Sequence, residues 1–162
     1  MEKLLKWSLN ASNGQADGTT PDPELIAQLF GSPDDTEIMK RAGIVLQNES
    51  SSLEEKEAAF DDLQMLVEQV DNANNMVPLG LWPVVLQYLD ATEASLRRYA
   101  AWVVASAVQN NDKAQEELAK YEEIMKRLLV LAADLKETDV SRMCLLAISS
   151  LIGNCESEYS LF

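Results

Sequence analysis

Apolar positions along this chain recur at helical spacing in short runs divided by polar turns. Ile38, Leu81 and Ile124 open three short apolar segments at a constant spacing of 43 residues, and Leu46, Leu89 and Ala132 close them at the same interval. A polar turn follows each segment, then a longer one with a Ser or Thr placed to cap a helix: Ser51, Thr92 and Thr138. Leu53, Leu96 and Val140 begin the apolar faces of these longer helices. The second carries the stripe Leu96, Ala100, Val103, Ala107, and the third carries Val140, Cys144, Ala147, Leu151. Pro83 sits early in its short helix, where a missing N–H is tolerated. No segment sustains the period of two that a half-buried strand requires, so no sheet is expected.

A period near 43 residues, each with a shorter and a longer helix, is that of armadillo and HEAT repeats. The expected fold is all-α, a right-handed armadillo/HEAT-like α-solenoid of about three repeats. Stacking of neighbours completes a core that no single repeat can close. Ala58, Ala59, Ala100, Ala101 and Ala147 suit close approach of long helices. Asn110 to Tyr121 offers the extra short helix of an armadillo unit, with HEAT geometry the alternative. Asn10 to Asp22 is polar and rich in small residues, the composition of a flexible linker. Residues 1–20 therefore read as a flexible N-terminal segment, 21–155 as helical repeats and 156–162 as an irregular tail. A helix is expected from Asp22 as cap and Pro23 at its first position, through Leu25, Ile26 and Leu29, to a stop at Gly31. After a turn at Pro33 to Thr36, another runs from Glu37 to about Asn48.

Composition narrows the chemistry. There are 27 acidic against 13 basic residues, a formal charge of −14, which opposes binding to nucleic acid or an anionic membrane. Histidine is absent, which removes the commonest general base, the usual nucleophile–base pairs and most zinc sites. An enzyme, a metal site and a cofactor are not expected. Cys144 and Cys155 lie too far apart along one helix to bridge and read as small buried apolar residues of a reducing compartment. No run has the length of a membrane span, and MEKLLKWSL lacks the form of a signal peptide. A cytoplasmic location is the expectation.

Paired carboxylates at Glu54, Glu55 and Glu57, at Asp61 and Asp62, at Glu116 and Glu117, and at Glu122 and Glu123 read as solvated helix surface. The asparagine-rich turns carry more. The first long helix ends in Asp71, Asn72, Ala73, Asn74 and Asn75, the second in Gln109, Asn110 and Asn111, the third in Asn154. Asn accepts the left-handed backbone that ends helices, which explains one residue per turn. Five small or polar residues at 71–75 exceed that need, and a row of amides can hydrogen-bond a partner without charge. Ala73, small within this cluster, fits close approach of a partner. Near the start, Leu4, Leu5, Trp7 and Leu9 form an apolar cluster beside Lys3 and Lys6. It reads either as a helix folded back on the first repeat or as a peptide-like lure. Met39, Met65 and Met76 are open between core and partner surface.

MEKLLKWSL, PDPELIAQLFGSPDD (residues 21–35), the DNANN of 71–75, Leu81-Trp82 and the AVQNN of 107–111 occur in one order. As an ordered set they resemble the fungal Fes-type armadillo nucleotide-exchange factors, related to the animal heat-shock-binding-protein cofactors, over residues 1 to about 155. The resemblance implies a cytosolic cofactor of the seventy-kilodalton heat-shock chaperones that grips the chaperone's ATPase domain, opens its cleft and releases ADP. It implies chaperone contacts at Asp71, Asn72, Ala73, Asn74, Asn75, Gln109, Asn110, Asn111 and Asn154, and substrate release by the segment with Leu4, Leu5, Trp7 and Leu9. The ending ESEYSLF matches no continuation of that family, whose members run on into a further repeat, so a shortened chain with an uncapped last repeat is expected. The alternative is an armadillo adaptor for extended peptides. Those carry Trp four residues before Asn on successive long helices, where this chain has Ser106 and Ser150.

Overall fold

A computed structural model describes residues 34–152 except Glu122. The chain divides into two compact units, residues 1–35 and 36–162, and nearly all described residues belong to the second. The linker, the helix expected from Pro23 to Gly31, the Leu4–Leu9 cluster, Asn154, Cys155 and the tail lie outside the described residues.

Among the described residues every regular element is helical. These are α1 (Asp34–Gln47), α2 (Leu53–Val67), α3 (Val70–Asn75), α4 (Leu81–Gln87), a 3-10 turn (Tyr88–Asp90), α5 (Ala94–Val108), α6 (Asp112–Ala119), α7 (Ile124–Ala132) and α8 (Thr138–Ile152). The arrangement is all-α and consistent with an armadillo-like solenoid. α4 and α7 begin at the expected Leu81 and Ile124. α1 starts at Asp34, one turn before the expected Glu37.

α2 and α5 are in register at an offset of 41, not 43. Ala59, Phe60, Leu63, Leu66 and Val67 of α2 match Ala100, Ala101, Val104, Ala107 and Val108 of α5, and all ten are buried. Leu53 therefore falls outside the apolar face it was expected to begin, and it is exposed. Its helix is started by Ser52 rather than Ser51. The Ser52 hydroxyl accepts from the Glu55 N–H at 3.2 Å, and the Ser52 N–H donates to Glu55 Oε2 at 2.7 Å. Ser51 has Glu54 at the same spacing, so the motif alone suits either serine, and the reciprocal pair forms at Ser52. Thr92 caps nothing with its side chain; α5 follows Glu93 without a side-chain cap, and the Thr92 carbonyl accepts from Arg97 at 2.7 Å.

The long helices α2, α5 and α8 lie side by side with α5 between the other two. Small residues on α5 (Ala100, Ala101, Ala105 and Ala107, all buried) allow this close stacking. α5 and α8 run parallel and in register. Arg97 near the start of α5 pairs with Glu137 just before α8. At the other ends, Gln115 Nε2 donates to the Val108 carbonyl at 2.8 Å and to the Ser150 carbonyl at 3.2 Å.

The short helices are tied at their C-terminal ends, where carbonyls lack helical partners. The Tyr88 hydroxyl donates to the Leu46 carbonyl of α1. Arg127 of α7 donates to the Leu86 carbonyl of α4 at 2.7 Å and pairs with Asp90. The Ser141 hydroxyl of α8 donates to the Ala132 carbonyl of α7 at 2.7 Å. Gly43 brings α1 so near α4 that a Cβ there would lie 2.5 Å from Leu81 Cδ2. Gly80 takes the left-handed backbone, φ 64°, that turns the chain into α4. Among the described residues, no helix is long and apolar enough to cross a membrane.

Candidate functional site

The asparagine-rich runs are built differently from their expected role as ends of long helices. Residues 70–75 form α3, a six-residue helix of their own, after α2 has stopped at Val67. α3 packs against α5 and α6, which places both runs along one edge of the stack. Asp71 is exposed, Asn74 and Asn75 are half-buried, and Asn72 is buried. Asn74 Oδ1 is shut away from water without a hydrogen-bond partner among the described residues. Ala73 is only 1% exposed and belongs to the hydrophobic core. The close approach its small side chain permits is to its own chain, which corrects the reading of Ala73 as a partner-facing gap.

In the second run, each residue has a separate place. Gln109 ends α5 and is exposed. Asn110 adopts φ 52°, the left-handed backbone expected of an asparagine at a helix end. Asn111 is buried as the cap of α6: its Oδ1 accepts from the Ala114 N–H at 3.3 Å and its amide donates to the Ala107 carbonyl at 3.2 Å. Asp71, Asn74, Asn75, Gln109 and Asn110 are therefore the members of the two runs that keep some exposure to a partner.

The sequence reading missed a second feature, on the solvent side of the long helices. α5 is enclosed by its neighbours except at Ala94, Ser95, Arg97, Arg98, Tyr99, Trp102 and Ser106. The Arg98 guanidinium lies 4.4 Å from the centre of the Tyr99 ring and 5.9 Å from that of Trp102. Tyr99 stacks with Trp102 at 6.3 Å and with fully buried Phe60 of α2 at 6.0 Å, and Phe60 meets Tyr88 edge-on. Burial and a hydrogen bond to Asp61 raise the Tyr99 phenol above its ordinary value. The signal was present: Arg98 and Trp102 stand four apart, one turn of helix. Met65 of α2 is 63% exposed, whereas Met39 and Met76 are fully buried core residues.

Cys144 is buried, and desolvation pushes its thiol up to about 11. Among the described residues no three His, Cys, Asp or Glu side chains are grouped to hold a metal.

The described residues thus define a helical-stack scaffold whose candidate site is an open surface of amides, an arginine and stacked aromatics. Two family models together match residues 1–157 of the chain: nucleotide exchange factor Fes1 over residues 1–76, and the SIL1/FES1/HPBP1 C-terminal domain over residues 72–157. The chain belongs to the SIL1/FES1/HPBP1 family. It is 43% identical over its whole length to an Hsp70 nucleotide exchange factor FES1 of Yarrowia lipolytica, covering 58% of that protein. With the proteins of the same name from Saccharomyces cerevisiae and Schizosaccharomyces pombe it shares 41% identity over 95% of this chain and 43% over 86%, covering 56% and 49% of those relatives. The chain therefore spans about half the length of the relatives it matches.

Proposed function

We propose that this chain is a nucleotide-exchange cofactor of a seventy-kilodalton heat-shock chaperone in the cytoplasm, binding the chaperone's ATPase domain and promoting release of ADP. The observation that carries the reading is the 43% identity across all 162 residues to a relative named for that activity. The helical-stack scaffold supports it, since exchange requires differential binding and no bond-making group. A cofactor that binds the open cleft more tightly than the closed, ADP-holding one shifts the chaperone toward the open state. A hundredfold faster release corresponds to about 2.7 kcal/mol of barrier, within the reach of a modest polar interface. Asp71, Asn74, Asn75, Gln109 and Asn110 are the proposed edge contacts. Leu4, Leu5, Trp7 and Leu9 are assigned to driving bound polypeptide off the chaperone.

The test is stopped-flow release of a fluorescent ADP analogue from the purified chaperone. The expected result is release accelerated at least tenfold by this chain. An unchanged rate over a concentration series would overturn the proposal.

A further inference from the structure

We infer that Arg98 and Trp102 of α5, continued by Arg142 and Leu146 of α8, form the anchoring patch for a folded partner domain that presents a carboxylate beside an apolar surface. The inference rests on the proposed function for the partner's identity and goes beyond it in naming the residues and chemistry of the grip.

The register of α5 and α8 places Arg142 at the position equivalent to Arg98 and Leu146 at that equivalent to Trp102, 44 residues on in each case. Two successive long helices thus repeat one pattern, an arginine followed one turn later by a large apolar side chain. Neither apolar residue is buried, and Leu146 is 44% exposed. Arg97, Arg127, Lys40, Lys120 and Lys126 all pair with carboxylates of their own chain. Among the described residues Arg98 and Arg142 form no such pair, a property they share with Arg41, Lys56, Lys113 and Lys136, in a chain of 27 acidic and 13 basic residues. Nearby Asp61 and Arg98 both engage the Tyr99 hydroxyl. Arg98 and Arg142 are thus two guanidinium groups at equivalent positions without an ion-pair partner among the described residues, a feature complementary to a partner carboxylate.

The patch is also prebuilt. Phe60 in the core holds Tyr99, Tyr99 holds Trp102, and both rings carry the Arg98 guanidinium. A guanidinium lying on a ring keeps its in-plane N–H groups for bidentate binding of a carboxylate. Little side-chain freedom remains to be lost on binding, and Trp and Arg are the residue types that dominate interface energetics.

Calorimetric titration of the full chain against the chaperone's isolated ATPase domain, with ADP release measured in parallel, tests this. Trp102→Ala is expected to weaken binding about thirtyfold. Arg98→Glu should weaken it at least as much, and Arg98→Lys should recover only part of the loss because it keeps the charge without the planar fork. Arg98 is partly solvent-exposed, so Arg98→Glu keeps the test valid if Trp102→Ala fails to melt cooperatively. Wild-type affinity in both variants, with the parent chain active in exchange, would overturn the anchoring patch and leave the proposed function standing. Affinity lost in Trp102→Ala but kept in Arg98→Glu would overturn the carboxylate. Binding of an extended acidic peptide in preference to the folded domain would overturn the folded partner. Failure of the parent chain to bind or accelerate release would instead remove the function on which the inference rests.

Discussion

The middle long helix, α5, and the last, α8, share a register and a pattern of core positions, yet one flank has opposite fates in the two. Ala101, Ala105 and Val108 of α5 are at most 1% exposed. Their equivalents on α8 are Leu145, Ser149 and Ile152; Leu145 and Ile152 are each 55% exposed, and Ser149 is exposed too. The positions facing the interior of each pair behave alike: Leu96, Ala100, Val103 and Val104 are buried, and so are Val140, Cys144, Ala147 and Ile148. The difference is a neighbour. α5 has a long helix on each side, whereas α8 has one only on the α5 side among the described residues. In a stacked array the same side of successive helices is interior or surface according to what lies next to it. Side-chain size follows, with small residues where helices meet and a leucine where that flank meets solvent.

The most severe way to break this comparison is to place one charge at both positions. Ala101→Glu buries a carboxylate without a partner at the α5 stack and is expected to cost more than about 3 kcal/mol. Leu145→Glu, the equivalent change on α8, should alter stability by less than about 0.5 kcal/mol. Urea unfolding followed by far-UV circular dichroism measures both. Equal losses would mean that the α8 flank is covered and that the exposure of Leu145 does not describe the protein in solution.

The same comparison shows what could be read from the sequence. Helix type and the interior stripes of α5 and α8 follow from the spacing of apolar residues, because that spacing fixes which side chains share a face. Leu53 misled because one apolar residue at the edge of a helix suits either of two registers, and only the packed partner chooses between them. Leu129 and Val130 of α7 are apolar yet exposed, which side-chain type alone does not reveal. The left-handed backbone at Asn110 is a local preference and was legible. The separate helix α3 and the burial of Ala73 were not, because they depend on α5 and α6 lying against residues 70–75. The Phe60, Tyr99 and Trp102 row was hidden for a similar reason, since Phe60 comes from another helix 39 positions earlier.

A smaller effect is expected where the two helices are braced. Arg97 joins the start of α5 to Glu137, with Nε donating at 3.2 Å, and also donates to the carbonyls of Ala91 and Thr92. The Arg97 side chain is 14% exposed and that of Glu137 29%, so water competes only partly for these bonds. Arg97→Met keeps the apolar stem, removes the donors, and is expected to cost about 1–3 kcal/mol. Hydrogen exchange sharpens the comparison: amides of α8 should lose protection before those of α5, which keeps its contacts with α2. Uniform loss across both helices would show that the brace stabilises the whole stack rather than the docking of its last helix.

The subtlest difference between the helices lies at one interior position, Ala100 on α5 and Cys144 on α8. Burial raises the Cys144 thiol from its ordinary 9.0 to about 11, because the packed interior disfavours the thiolate. An unfolded chain ionises this thiol at lower pH than the folded one. The stability that the neutral thiol contributes is therefore complete below pH 9 and is lost as pH rises through 9 to 11. Cys144→Ala makes the position like Ala100 and removes the titration. Tyr88 and Tyr99, whose phenols burial also raises, remain in both proteins and cancel in the difference. The gap in urea midpoint between wild type and Cys144→Ala is therefore expected to be constant from pH 7 to about 8.5 and to move in favour of the alanine variant up to pH 11. A gap that stays flat to pH 11 would mean that the folded and unfolded chains ionise Cys144 alike, and that this side of α8 is open to water where the matching side of α5 is closed.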